Sequence, residues 1–246
     1  MAPERVPLPV WRWGVLDSFL AALCNGPSAS FLSAFAVELG AGGGILGLLL
    51  ALNTFLANGL QLQGAAWARR GSSVRRVYGA AIVARSAWLV AGTVPAMIYA
   101  ADYPTAALST FIGLLGLSSI ASAAANPAMG ARASTAGGEA GRTRYLADRA
   151  IATWVGILVG TAGMTALLGL VPGVWGYAIG FVVAAFAGIG GLRAYAGLVA
   201  TDRQLAAERR AVAEASPRPD PLAAPPQPAL AGPIIEAPPC KIAAPI

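Results

Sequence analysis

The distribution of arginine between long apolar stretches is the feature that most constrains this chain. The sequence contains six such stretches, and the links between them alternate between rich in arginine and free of positive charge. The arginines follow the second, fourth and sixth stretches: Arg69, Arg70, Arg75, Arg76, Arg132, Arg142, Arg144, Arg149, Arg193, Arg203, Arg209 and Arg210. Because positive residues beside membrane segments stay in the cytoplasm, the pattern predicts an all-α polytopic membrane protein with six spans and both ends in the cytoplasm.

Composition supports a membrane protein and argues against a nucleic-acid-binding one. Only 11% of the residues are charged and 57% are apolar, whereas soluble domains are about 25% charged. The net charge of +6 comes from residues beside the predicted spans. We interpret this basicity as topology and contact with anionic lipid, not as binding of nucleic acid. Arginine outnumbers lysine sixteen to one, which is typical of a GC-rich bacterium, so we expect the inner membrane.

The residues needed for most membrane enzymes are missing. The chain has no histidine and two cysteines, Cys24 and Cys240. This composition excludes imidazole-ligated haem, Ser-His proteases and the usual zinc sites. No convincing pair of catalytic carboxylates stands in the predicted spans. We therefore predict no enzymatic activity, no metal site and no cofactor.

Four regions are predicted along the chain: a cytoplasmic N-terminus (1–9), a six-helix bundle (10–200), a cytoplasmic surface helix (201–215) and a disordered tail (216–246). A polar, Gly-rich link is predicted from Asn126 to Arg149, long enough for a short surface helix. Thr201 and Gln204 form a possible capping box for the helix over 201–215. Prolines recur throughout the tail, so it cannot form a packed core.

Two ionisable residues stand well inside predicted spans, Asp17 in the first and Arg85 in the third. Both lie roughly 9–12 Å from the cytoplasmic end of their helix. Charged groups at membrane depth are costly and usually functional, so we predict an ion pair between them. Such a pair is either a structural contact that fixes helix packing or a gate linked to protons.

Uncharged polar residues are concentrated in the first two spans. Asn25, Asn53, Asn58 and Gln61 are the predicted substrate path. Asn58 and Gln61 are three residues apart and share one helix face. A polar cavity between the two spans explains this pattern, and so does hydrogen bonding between helices.

The link after the second span carries Gly64, Arg69 and Gly71, followed by Arg75 and Arg76. These positions match in part the pattern Gly-x-x-x-Asp-Arg-x-Gly-Arg-Arg, with alanine in place of the aspartate. With this motif, the stretch from 31 to 88 and the predicted topology, the chain resembles the N-terminal six-helix half of the major facilitator superfamily of secondary transporters. The resemblance covers about residues 10–215.

The resemblance implies transport of a small solute by alternating access between two six-helix units. The second unit would be another copy of this chain or a partner chain. Asn25, Asn58 and Gln61 would line the path, Asp17 and Arg85 would couple or lock it, and the loop arginines would act in cytoplasmic gating. Two alternatives remain open: a non-transporting membrane scaffold or assembly subunit, and a truncated transporter fragment.

Overall fold

The computed structural model describes residues 7–63, 66, 74–135 and 141–215. Within these ranges the chain forms six long helices: α1 (Leu8–Glu38), α2 (Gly43–Gly59), α3 (Val74–Ala100), α4 (Pro104–Thr135), α5 (Arg142–Leu170) and α6 (Val174–Ala215). Each is long and apolar enough to cross a membrane, α2 when it is taken together with the residues up to Gln63. The prediction of an all-α polytopic fold with six spans is confirmed.

The predicted link between the fourth and fifth spans is shorter than the sequence indicates. Helix α4 continues through Pro127 to Thr135, and α5 already begins at Arg142. The physical reason is packing, since Ala125, Ala128 and Ala133 are buried in an apolar cluster with side chains of other helices. Small residues that look like part of a link are therefore a helix surface in close contact with its neighbours.

The segment over 201–215, predicted as a separate surface helix, is the continuation of α6, which runs unbroken from Val174 to Ala215. Thr201 does not cap a helix, because its hydroxyl donates to the carbonyl oxygen of Gly197 one turn earlier, at 2.9 Å. The residues that follow are mostly alanine, arginine and glutamate, which are strong helix formers. Among the described residues, those up to Ala207 belong to one compact unit and those from Glu208 to Ala215 to a second. The tail over 216–246 lies outside the described residues.

Two apolar clusters, one at each end of the bundle, hold the helices together. At the end poor in arginine, Phe35 of α1 contacts Phe111 of α4 and Phe181 of α6, with ring centroids 5.0 and 5.3 Å apart. At the arginine-rich end, Val10 and Val77 are buried with Leu192. The two clusters leave a middle layer in which polar side chains are found.

The helix contacts follow a pattern that repeats after three helices. Helix α1 packs along α5, and α4 packs along α2; likewise α3 packs along α4, and α6 lies against α1 where Gly188 meets Cys24 and Gly197 meets Trp13. A shift by three helices turns the contact of α1 with α5 into that of α4 with α2. The same shift turns the contact of α3 with α4 into that of α6 with α1. Two of the helix contacts therefore correspond to two others when the helices are shifted by three places.

Glycines of α5 allow its close approach to α1. A Cβ atom at Gly156 would lie 2.5 Å from the carbonyl oxygen of Phe19, and one at Gly160 would lie 2.9 Å from that of Leu23. The Leu23 carbonyl has no α-helical hydrogen-bond donor, because Pro27 lacks an N–H. Gly160 packs directly on this carbonyl and on the proline ring. The contact between α1 and α5 is thus a backbone contact.

Changing Gly156 to alanine is expected to destabilise the bundle. Alanine gains about 1 kcal/mol of helix propensity, but overpacking against the Phe19 carbonyl costs roughly 1–3 kcal/mol. Gly163→Ala is the matched control, because no heavy atom lies within 4 Å of the new Cβ there. Thermal unfolding in detergent should give a lower midpoint for Gly156→Ala and an equal or higher one for Gly163→Ala. Equal midpoints for the two variants would contradict the close contact.

Candidate functional site

A polar cluster lies between α1 and α5 in the arginine-rich half of the bundle. The guanidinium of Arg149 pairs with the carboxylate of Asp17, with Nη2 and Oδ2 3.6 Å apart. The Nε of Arg149 donates to the hydroxyl of Ser18 at 2.8 Å and to the carbonyl oxygen of Gly14 at 3.3 Å. The side chains of Arg149 and Asp17 are only 17% and 9% exposed. The charges are therefore held inside the protein.

Arg85 connects the same cluster to two further helices. Its Nη1 donates a hydrogen bond to the carbonyl oxygen of Gly188 on α6. A Cβ at Gly191 would lie 2.8 Å from the same nitrogen, so the guanidinium occupies space that this glycine leaves open. The positive charge of Arg85 also interacts electrostatically with Asp17. Three helices, α1, α3 and α5, thus contribute charges to one cluster, and α6 contributes a backbone carbonyl.

The position of Asp17 differs in one respect from the sequence prediction. Asp17 and Arg85 do come into electrostatic range, but the ion pair of Asp17 within 4 Å is with Arg149. Sequence reasoning missed Arg149 because it stands before the apolar part of the fifth stretch and was assigned to the link. The signal that could have found it is the helical spacing of Tyr145 and Arg149, which places both on the same face of α5.

Two buried polar atoms of the cluster have no hydrogen-bond partner among the described residues, Oδ1 of Asp17 and the hydroxyl of Tyr145. The Tyr145 side chain is 1% exposed, and its hydroxyl packs on Gly14. The guanidinium of Arg149 lies 5.7 Å from the centre of the Tyr145 ring, in range for a cation–π contact. Buried polar atoms are nearly always hydrogen-bonded. Oδ1 of Asp17 can therefore accept a hydrogen bond inside the cluster, and the hydroxyl of Tyr145 can donate or accept one.

The predicted path residues have different environments. Asn53 accepts a hydrogen bond from the hydroxyl of Ser119 on α4 at 2.6 Å, so it joins two helices. Asn58 near the end of α2 and Gln61 just beyond it are exposed, and Gln61 donates to Asn58 at 3.3 Å. Asn25 is exposed near the middle of α1. Hydrogen bonding between helices accounts for Asn53, while the other three lie on the surface of the bundle.

Most of the predicted loop motif falls outside the described residues. This applies to Gly64, Arg69 and Gly71, and to the side chain of Arg75. Arg76 lies in the first turn of α3 and is exposed. Its role in cytoplasmic gating stays a prediction.

Comparisons of the chain with protein-family profiles, with curated proteins and with solved structures find no significant match. The functional interpretation therefore depends on the geometry of the bundle and on its sequence pattern.

The ion pair between Asp17 and Arg149 is expected to show strong energetic coupling. Asp17→Asn and Arg149→Gln each leave one charge inside the bundle without its partner, which is destabilising. The double variant removes both charges, so its loss should be smaller than the sum by roughly 0.5–3 kcal/mol. The measurement is the free energy of unfolding in mixed micelles. The control is Arg144→Gln, at an exposed position of α5, whose loss should add to that of Asp17→Asn. Additive losses for Asp17→Asn and Arg149→Gln would contradict the contact.

Proposed function

We propose that this chain is a six-helix unit of a secondary transporter of the major facilitator type in a bacterial inner membrane. It moves a small solute by alternating access against a second six-helix unit. The observation that carries the proposal is the buried cluster of Asp17, Arg85 and Arg149, which joins four spans. Ionisable groups at membrane depth are expensive, and they mark solute or ion pathways.

The repeat of helix contacts supports the transporter interpretation. Six-helix halves of major facilitator transporters contain two three-helix units of opposite orientation. Here the contact of α1 with α5 corresponds to that of α4 with α2. A scaffold has no need for this arrangement, whereas alternating access uses it to form two similar gates on opposite sides of the membrane.

Two helices of the bundle are covered much less than the others. The apolar windows of α2 and α5 are 6% and 22% buried, against 39–50% for the remaining four helices. These two helices correspond to each other in the three-helix repeat. A second six-helix unit that contacts both would cover them and would place Asn58 and Gln61 of α2 beside the solute.

The charge cluster couples or locks the motion in this proposal. Arg149 ties α5 to α1 through Asp17, Ser18 and the Gly14 carbonyl, and Arg85 ties α3 to α6. A proton or a solute donor that binds Oδ1 of Asp17 weakens the attraction between the carboxylate and the arginines. Binding at this carboxylate would then loosen contacts between helices.

Alternating access predicts that a mid-membrane position on α1 is reached by water from both sides. Asn25→Cys, in a background of Cys24→Ala and Cys240→Ser, is labelled with a membrane-impermeant maleimide in right-side-out and inside-out vesicles. We expect modification from both sides. Val90→Cys, at an exposed apolar position in the middle of α3, should be modified from neither. An Asn25→Cys thiol that reacts from neither side would favour the scaffold interpretation.

A further inference from the structure

A groove lies on the outer surface of the bundle between the first halves of α1 and α5, and its volume is about 590 Å³. Its lining is polar where the helices begin, at Trp11, Arg12 and Asp148, and apolar further along, at residues such as Val15 and Phe19. The volume is within the range of 300–1,000 Å³ that is typical of small-molecule sites. The groove is separate from the charge cluster, which lies on the inner side of the same two helices.

The polar end of the groove presents one cation and one anion that do not pair with each other. Among the described residues, neither Arg12 nor Asp148 forms an ion pair. Asp148 accepts a hydrogen bond from the indole nitrogen of Trp11 through Oδ2 at 2.8 Å. The second carboxylate oxygen and the exposed guanidinium remain available. A ligand with both a negative and a positive group fits this end.

The apolar part of the groove faces outward from the bundle. Leu16, Ile151 and Val155 line it and are 41%, 61% and 45% exposed. Helices α1 and α5 run in the same direction, because Gly14 meets Tyr145 and Pro27 meets Gly160. The charged residues therefore sit at the membrane surface rich in arginine, and the apolar residues extend from there into the hydrocarbon. This order matches the headgroup and acyl chain of a lipid.

We propose that this groove binds one aminophospholipid of the arginine-rich leaflet, the cytoplasmic one by the charge rule. The phosphate contacts Arg12, the primary ammonium donates to Oδ1 of Asp148, and an acyl chain lies along Val15, Phe19 and Val155. Trp11 stands at the headgroup level, where indole rings are favoured. The proposal depends on the membrane position of α1 and α5 and requires that the second six-helix unit of the proposed transporter contacts α5 outside the groove.

The unpaired carboxylate selects among headgroups. A glycerol headgroup has no cation, so its lipid would bring only negative charge next to Asp148. A choline headgroup has a cation but no N–H group, so it cannot donate a hydrogen bond to the carboxylate. An ethanolamine headgroup satisfies both Arg12 and Asp148.

The test is native mass spectrometry of the full-length protein with equimolar phosphatidylethanolamine, phosphatidylglycerol and phosphatidylcholine of identical acyl chains. The readout is the ratio of lipids in the one-lipid complex. We expect the ethanolamine lipid to exceed each of the others about five-fold, because one favourable charge contact at a membrane surface changes binding by about this factor. A wild-type ratio near one, or a preference for the glycerol lipid, would overturn the proposal.

Variants separate the two charges. Asp148→Asn keeps an acceptor for Trp11 but should remove the preference for ethanolamine over glycerol, and Arg12→Gln should lower retention of all three lipids. Arg144→Gln and Asp102→Asn, both at exposed positions that do not line the groove, should match the wild type. Val15→Trp should fill the groove and reduce total retention. An unchanged preference in Asp148→Asn would contradict the assigned ammonium site.

Discussion

Hydrocarbon neither donates nor accepts hydrogen bonds, so polar groups at membrane depth need partners inside the protein or in a water-filled cavity. Many of its hydroxyl groups do so within one helix, as when Ser28 donates to the carbonyl oxygen of Cys24 at 2.6 Å. Others join helices, as Ser118 does when it donates to the carbonyl oxygen of Ala84 at 2.9 Å. The same requirement applies with greater force to charges. It explains why Arg149 pairs with Asp17 and why the guanidinium groups of both Arg85 and Arg149 donate to backbone carbonyls.

Glycines provide the space in which the large polar side chains fit. Gly14 receives the hydroxyl of Tyr145, and Gly188 and Gly191 receive Arg85. The glycines of α5 bring that helix onto the backbone of α1, which in turn sets the distance between Asp17 and Arg149. Helix α1 is therefore the element on which both the packing and the charge cluster depend. Its outer face forms the proposed lipid groove, so lipid, packing and charges all meet at the contact between α1 and α5.

The sequence alone predicts the six spans and the grouping of arginine at one end, because hydropathy and charge depend on composition along the chain. It does not predict the end of α4 or the start of α5, because these depend on tertiary packing of small residues such as Ala128 and Ala133. The role of Arg149 was missed because this residue was assigned to the link that precedes α5. Asn53 and Asn58 stand on the same helix and look alike in sequence, yet one binds Ser119 and the other is exposed. Only the positions of neighbouring helices separate these two roles.

Transport by alternating access requires this six-helix unit to work against a second one. The most direct measurement is native mass spectrometry of the protein taken from its own membrane in polymer-bounded lipid particles, without prior detergent. The account predicts particles that contain two six-helix units, either two copies of this chain or one copy with another six-span chain. Particles that contain a single copy and no other six-span chain would contradict it.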